Sequence, residues 1–184
     1  MDRPNFKYSP NAYDIAFEDL DGVCACCDES RSLKYRGPFY CSGDEPDYIC
    51  PWCIADGRAA AKFGGSFGAF TGWMDIEGVS PDPNDPPPAI PRELLLNITD
   101  RTPGYFSWQQ SVWLTHCNEP CAFLGKTDRE ALEPILDEIR PDIERTYTRD
   151  PDWVLEHLTE DGMIAGCLFK CVHCGRHRLH VDMG

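Results

Sequence analysis

Lys170-Cys171-Val172-His173-Cys174-Gly175-Arg176 joins two runs, Ile164 to Lys170 and Arg176 to Asp182, that read as strands. A Cys-x-x-Cys turn sets two sulfurs on one side of a tight loop, and a knuckle between two strands is what a zinc-ribbon hairpin requires. Three further pairs punctuate the chain: Cys24/Cys27, Cys50/Cys53 and Cys117/Cys121. Two such turns complete the tetrahedron that Zn²⁺ prefers, so four pairs predict two structural zinc ions. The first would be held by Cys24, Cys27, Cys50 and Cys53, the second by Cys117, Cys121, Cys171 and Cys174.

The two sites differ in how strongly spacing supports them. Cys27 and Cys50 are separated by 22 residues, which a hairpin spans easily. Cys121 and Cys171 are separated by 49, so the second site needs an insertion that returns to its starting point. His116, His173, His177 and His180 are rival donors there. Cys26 could replace Cys27, although Cys24 and Cys27 have the better knuckle spacing. Cys41 and Cys167 have no pair and read as packed thiols.

Composition limits what else the chain can be. With 184 residues, 42% of them hydrophobic, it can bury a modest core in one domain or two small lobes. Bound zinc would then matter for stability, because its apparent binding free energy of about 10 to 16 kcal/mol rivals the ~5 to 15 kcal/mol of an ordinary domain. The opening Met1-Asp2-Arg3-Pro4-Asn5-Phe6-Lys7-Tyr8 lacks the apolar core of a signal peptide, which favours a reduced, cytoplasmic protein over a disulfide framework. No run of eighteen apolar residues predicts a membrane span. Seventeen basic residues against thirty-one acidic ones give a net charge of −14. That argues against nucleic acid as the main ligand and suits a basic protein partner, such as a nuclease. Only Lys170, Arg176, His177, Arg178 and His180 are locally basic, and they read as a solvated strand face.

Residues 78–91 contain six prolines and form the expected seam. The predicted fold is α+β: a zinc-ribbon-like lobe over 1–77, a Pro-rich linker over 78–91, and a helical lobe over 92–184 that ends in a knuckle hairpin. In the first lobe, Ser32 to Tyr40 and Asp47 to Cys50 read as strand segments, and the alanine-rich Ile54 to Phe63 as a helix opposed only by Gly57. In the second, helices are expected over Arg92 to Ile98, over Trp108 to His116 with Ser107 as N-cap, at the capping box Thr127-Asp128-Arg129-Glu130, and at Asp150-Pro151. Pro134 and Pro141 should limit or kink the third of these.

Enzymatic readings have less support. Cys50-Pro51-Trp52-Cys53 looks like a glutaredoxin centre, but a second cysteine pair lies upstream and a Pro-rich stretch follows, where a thioredoxin-like fold needs parallel βαβ units. His-Glu-x-x-His is absent, as is the deaminase His-x-Glu. Four-thiolate sites are also closed to substrate.

Several longer strings are more specific than the cysteine pairs. Gly37-Pro38-Phe39-Tyr40, Cys50 to Gly57 (CPWCIADG), Arg101-Thr102-Pro103-Gly104-Tyr105, Trp108-Gln109-Gln110, His116-Cys117 and Cys121-Ala122-Phe123-Leu124-Gly125 together resemble the bacterial CbrC family. The similarity runs from the N-terminus through the last knuckle. That family is associated with tolerance to colicin, a nuclease toxin, so the resemblance implies a role in toxin tolerance or immunity and assigns no catalytic residue. Asp28 departs from it, because relatives often place glycine after the first pair. An aspartate there must adopt a left-handed turn at some cost. Trp108, Gln109 and Gln110 are the candidate partner contacts, although core packing is expected of both Trp108 and Trp113. Asp56, Arg101, Gln109 and Gln110 are expected to stabilise a lobe interface in preference to lining a pocket.

Overall fold

The structure is a computed structural model that describes residues 2–68, 91–109, 111–146, 149–160 and 162–184. The described chain falls into two compact units, one containing residues up to 68 together with 91–106, the other residues from 107 onward. Each is a small α+β lobe built on a knuckle hairpin.

In the first unit a short helix α1 (Ala12–Ile15) leads into β1 (Phe17–Val23), which pairs antiparallel with β2 (Ser30–Tyr35) from Phe17↔Tyr35 to Val23↔Ser30. The loop between them is the Cys24–Glu29 knuckle. Cys24 N–H donates to Glu29 C=O (3.0 Å) and Asp28 N–H to Cys24 C=O (2.8 Å). Asp28 takes φ +60°, the left-handed conformation expected for the residue after the pair. β1 is absent from the sequence reading, since Phe17-Glu18-Asp19-Leu20-Asp21-Gly22-Val23 carries three acids and no apolar alternation. The segment 47–50 forms no strand. It lies along the hairpin, where Tyr48 C=O accepts from Ala25 N–H (2.9 Å) and Ile49 C=O from Tyr35 N–H (2.9 Å).

The expected helix over Ile54 to Phe63 is two helices, α2 (Pro51–Ala55) and α3 (Arg58–Phe63). Gly57, at φ +77°, breaks it. α4 (Arg92–Thr99) follows Pro91, the one residue of the expected linker within the described chain. Residues 92–106, expected from sequence in the C-terminal lobe, belong to the first unit. Phe67 N–H donates to Thr99 C=O (2.7 Å), and Gly104 N–H donates to the Tyr35 hydroxyl (3.0 Å), which itself donates to Pro38 C=O (3.0 Å). A Cβ on Gly104 would lie 1.7 Å from the Phe67 carbonyl oxygen, so the Arg-Thr-Pro-Gly string needs its glycine for this close approach. Phe6, Phe17, Leu33, Tyr35, Ile54 and Phe67 centre the core of this unit.

The second unit has a three-stranded antiparallel sheet in the order β5 (Ala122–Thr127), β6 (Ile164–Lys170), β7 (His177–Met183). The β6–β7 loop, Cys171–Arg176, repeats the first knuckle's bonds: Cys171 N–H to Arg176 C=O (2.8 Å) and Gly175 N–H to Cys171 C=O (3.1 Å), with Gly175 at φ +77°. Between β5 and β6 run α5 (Arg129–Leu132), a 3₁₀ turn (Glu133–Ile135), α6 (Leu136–Thr146) and α7 (Pro151–His157). Asp128 caps α5 by accepting from Ala131 N–H (3.0 Å), and Asp150 caps α7 by accepting from Asp152 and Trp153 (2.8 and 3.2 Å). Pro134 falls in the 3₁₀ turn, while Pro141 sits within α6. Leu132, Ile139, Ile143 and Val154 bury one face of the helices against Leu179 and Val181. Trp113, Phe123 and Phe169 form a separate ring cluster, with centroids 5.3 to 6.4 Å apart.

The expected helix over Trp108 to His116 does not form. Its described residues run without regular structure into a two-residue hairpin, β3 (Thr115–His116) paired with β4 (Glu119–Pro120). Side-chain and sheet contacts replace the helical bonds, as where the Trp108 N–H donates to the Asp182 carboxylate (2.5 Å). Trp113 is buried and Trp108 is 60% exposed, so the expectation that both pack in the core holds only for Trp113. Arg178, read as part of a solvated face, is buried. It binds Asp142 of α6 through Nε and Nη2 (2.8 to 3.0 Å) and donates from Nη1 to Thr115 C=O (2.8 Å).

Candidate metal centres

The first knuckle hairpin brings Cys24 and Cys27 to the N-terminus of α2, where Cys50 is the N-cap and Cys53 lies in the first turn. The four sulfurs all lie within 4.8 Å of one another. Cys24 and Cys53 are 3.9 Å apart, and Cys27 and Cys50 are 4.0 Å apart. A tetrahedral ion with metal–sulfur bonds of about 2.3 Å needs sulfurs ~3.8 Å apart, whereas a disulfide needs about 2.05 Å. The spacing therefore fits a shared metal ion, and every one of these cysteines is a free thiol. Cys26, the alternative to Cys27, is outside the group.

Electrostatics at this centre point the same way. A hydrogen bond from Cys50 and backbone N–H groups overcome burial to bring the Cys24 thiol down to about 4, which favours its thiolate form. Cys50 is pushed far up by its bond to Cys24 and then by burial, and Cys53 is pushed up by burial. Three nearly inaccessible thiols thus cannot ionise together without a cation among them. Two side chains that the sequence reading missed add positive charge nearby. Lys62 of α3 donates to the knuckle carbonyls of Ala25 and Cys26 (2.8 and 3.0 Å). Arg31 lies 4.7 Å over the Trp52 ring, and although burial opposes its charge, the sulfurs of Cys27 and Cys50 favour it. Neither residue lies in a cysteine string, so local spacing gave no signal for them.

The second centre has a different donor set from the one expected. His116, Cys117, Cys171 and Cys174 place their donor atoms within 4.8 Å of one another, and Cys121 is not among them. Cys117 and Asn118 are the two central residues of the β3–β4 turn, with φ +53° and +58°. A two-residue turn with both centres left-handed puts His116 and Cys117 together at its tip. His116 Nδ1 lies 3.2 Å from the Cys117 sulfur and 3.4 Å from that of Cys174. Tetrahedral coordination with one nitrogen predicts ~3.6 Å for such pairs. Cys121 lies beyond β4, fully buried, with its N–H bonded to Leu114 C=O (2.9 Å) and its C=O to Trp113 Nε1 (2.8 Å). Burial pushes its thiol up to about 12. Had the segment been helical, Cys117 and Cys121 would share a face. In a hairpin they diverge.

Burial opposes ionisation of Cys171, yet N–H groups of Cys174 and His173, with His116, bring it down to about 6. This centre is more open than the first, because Cys117 and Cys174 are exposed. The other histidines are engaged elsewhere. His173 Nε2 pairs with Glu119, and His177 Nδ1 lies 3.1 Å from Glu138, which also accepts the His177 N–H (2.6 Å). Cys167 is fully buried, and Cys41 is partly exposed, its sulfur 3.5 Å from Gly43 C=O.

The expected partner residues are partly placed. Trp108 Nε1 donates to Gly162 C=O (3.1 Å), Gln109 Nε2 to Met183 C=O (3.0 Å), and Gln110 lies outside the described residues. Among the described residues no helix is long and apolar enough to cross a membrane.

The molecule is thus an α+β protein with two small lobes, each gathering four cysteine or histidine donors in an arrangement that can hold a metal ion. The chain belongs to the family described as "Uncharacterised protein family (UPF0167)", which it matches over residues 3–183. It is similar to a UPF0167 protein of Mycobacterium bovis, with 32% identity over 97% of this chain and 92% of the relative. A UPF0167 protein of Mycobacterium tuberculosis is similar to the same extent. One from Pseudomonas aeruginosa is 33% identical over 97% of this chain and 96% of the relative. No solved structure matches the chain.

Proposed function

We propose that this is a non-catalytic, cytoplasmic zinc protein that acts by binding another protein, in bacterial tolerance of or immunity to a colicin-like toxin. Zinc is the ion of choice because mixed Cys₄ and Cys₃His donor sets at tetrahedral spacing are its preferred surroundings. The observation that carries the structural role is the first centre, where Cys24, Cys50 and Cys53 have no accessible surface and so offer no open position to a substrate. That burial also weighs against Cys50-Pro51-Trp52-Cys53 as a dithiol redox centre. The net charge of −14 supports a basic partner such as a nuclease toxin, and the resemblance to the CbrC family supports the biological setting.

The test has two arms. Elemental analysis of reduced, desalted protein should give two zinc ions per chain, and purified protein should bind or neutralise a colicin-type nuclease with an affinity that falls as salt rises. Absence of stoichiometric metal removes the first half of the reading, and failure to engage any such toxin removes the second. A second reading, thiol-redox or zinc-dependent catalysis, draws support only from the exposed Cys117 and Cys174. Its zinc form requires one readily exchanged ion with nitrogen or water ligands, and its redox form requires disulfide reductase activity in metal-free protein.

A further inference from the structure

Within the first unit, away from the cysteines, lies a cleft of about 250 Å³ whose described lining carries two cations and no carboxylate. In a chain where acids outnumber bases by 31 to 17, that local reversal of sign is unusual. The cations are Lys7 and Arg101. Asn5 and Asn97 add carboxamides, and Ala55 and Leu94, both half-buried, supply apolar surface. The Arg101 side chain makes no hydrogen bond or ion pair among the described residues, whereas other arginines of the chain have carboxylate partners: Arg58 with Asp56, Arg140 with Asp152, Arg178 with Asp142.

The local structure holds Arg101 in place. Thr102, the next residue, is buried and donates its hydroxyl to Asn97 C=O (2.6 Å), tying the chain back to the end of α4. The aliphatic stem of Arg101 runs over Gly57, where an added Cβ would come within 3.4 Å of Cγ and 3.2 Å of Nε. Gly57 therefore serves twice, by accepting φ +77° and by leaving room for the guanidinium. Lys7 stands 5.1 Å over the Tyr8 ring, which limits where its ammonium can go.

We infer that this cleft binds a small organic anion, with a phosphate or carboxylate group on Arg101 and Lys7 and an apolar portion against Ala55 and Leu94. A planar guanidinium presents paired N–H donors that match two oxygens of such a group, and the asparagine amides supply further donors with no charge to repel it. The volume suits a single ring or short chain and is too small for a dinucleotide. The inference is independent of the metal centres and of any toxin partner.

The test is an amide and side-chain NMR titration of the full, metal-loaded chain with phenyl phosphate and with benzoate, against sodium chloride at matched ionic strength. Saturable shifts at the Asn97 carboxamide and the Arg101 Nε–H are expected for at least one probe, and comparison of the two identifies the preferred anion. Arg101→Gln should weaken that binding tenfold or more, and Lys7→Gln should weaken it in a chain whose Arg101 is intact. Arg92→Gln, a change at an exposed residue of α4 outside the cleft, should leave it unchanged. Shifts that never saturate, that chloride reproduces, or that survive both cleft substitutions overturn the inference.

Discussion

Replacing His116 by alanine should remove one metal ion from the protein, whereas replacing Cys121 by alanine should remove none. The structure places His116 Nδ1 3.2 and 3.4 Å from two sulfurs of the second centre, and buries Cys121 outside it. If an apparent binding free energy of about 10 to 16 kcal/mol is shared by four donors, each accounts for about 2.5 to 4 kcal/mol, which is two to three orders of magnitude in affinity. Loss of the Cys121 thiol removes one packed atom and costs about 1 kcal/mol of stability, with the metal retained. The assay is elemental analysis after passage over a competing chelator, followed by colorimetric titration of the zinc released. Full metal content in His116→Ala, together with loss of one equivalent in Cys121→Ala, would refute the assignment and restore the donor set that the Cys-x-x-x-Cys spacing suggests.

Three other outcomes are expected. Asp142→Ala should destabilise the chain by about 3 to 5 kcal/mol in urea unfolding, because it leaves the buried Arg178 guanidinium without its carboxylate; a cost below 1 kcal/mol would place that pair in solvent. Burial holds the half-buried His180 below its ordinary pKa, only partly offset by Asp182, so the folded state resists its protonation. Stability is then intact above about pH 6.5 and falls as pH drops toward the depressed folded value, and His180→Gln should flatten this part of the pH–stability curve. Mass-mapped alkylation should label Cys117 and Cys174 well before Cys24, Cys50 and Cys53, since only the former pair is exposed; equal rates would contradict the difference in burial between the two centres.

The sequence by itself determined whatever depends on neighbours a few residues apart. Cys24 to Cys27 and Cys171 to Cys174 each form a knuckle because the i to i+4 and i+5 bonds that close it are local, and Asp28 and Gly175 tolerate the left-handed turn those bonds require. The box Thr127-Asp128-Arg129-Glu130 and the pair Asp150-Pro151 announce helix starts for the same reason, although the carboxylate of Asp128, one residue past the expected Thr127, makes the first cap, and each carboxylate reaches an N–H two or three residues on. Tertiary structure alone decided which distant groups meet. The run from Trp108 to His116 reads as a helix capped by Ser107, but its backbone groups are taken by Asp182 and by the β3–β4 hairpin, and that hairpin exchanges Cys121 for His116. Arg178 looked like a surface cation until α6 supplied Asp142 from 36 residues away. A charge or a thiol carries no local mark of its eventual partner, because the energy that pairs them comes from long-range burial that residue spacing does not encode.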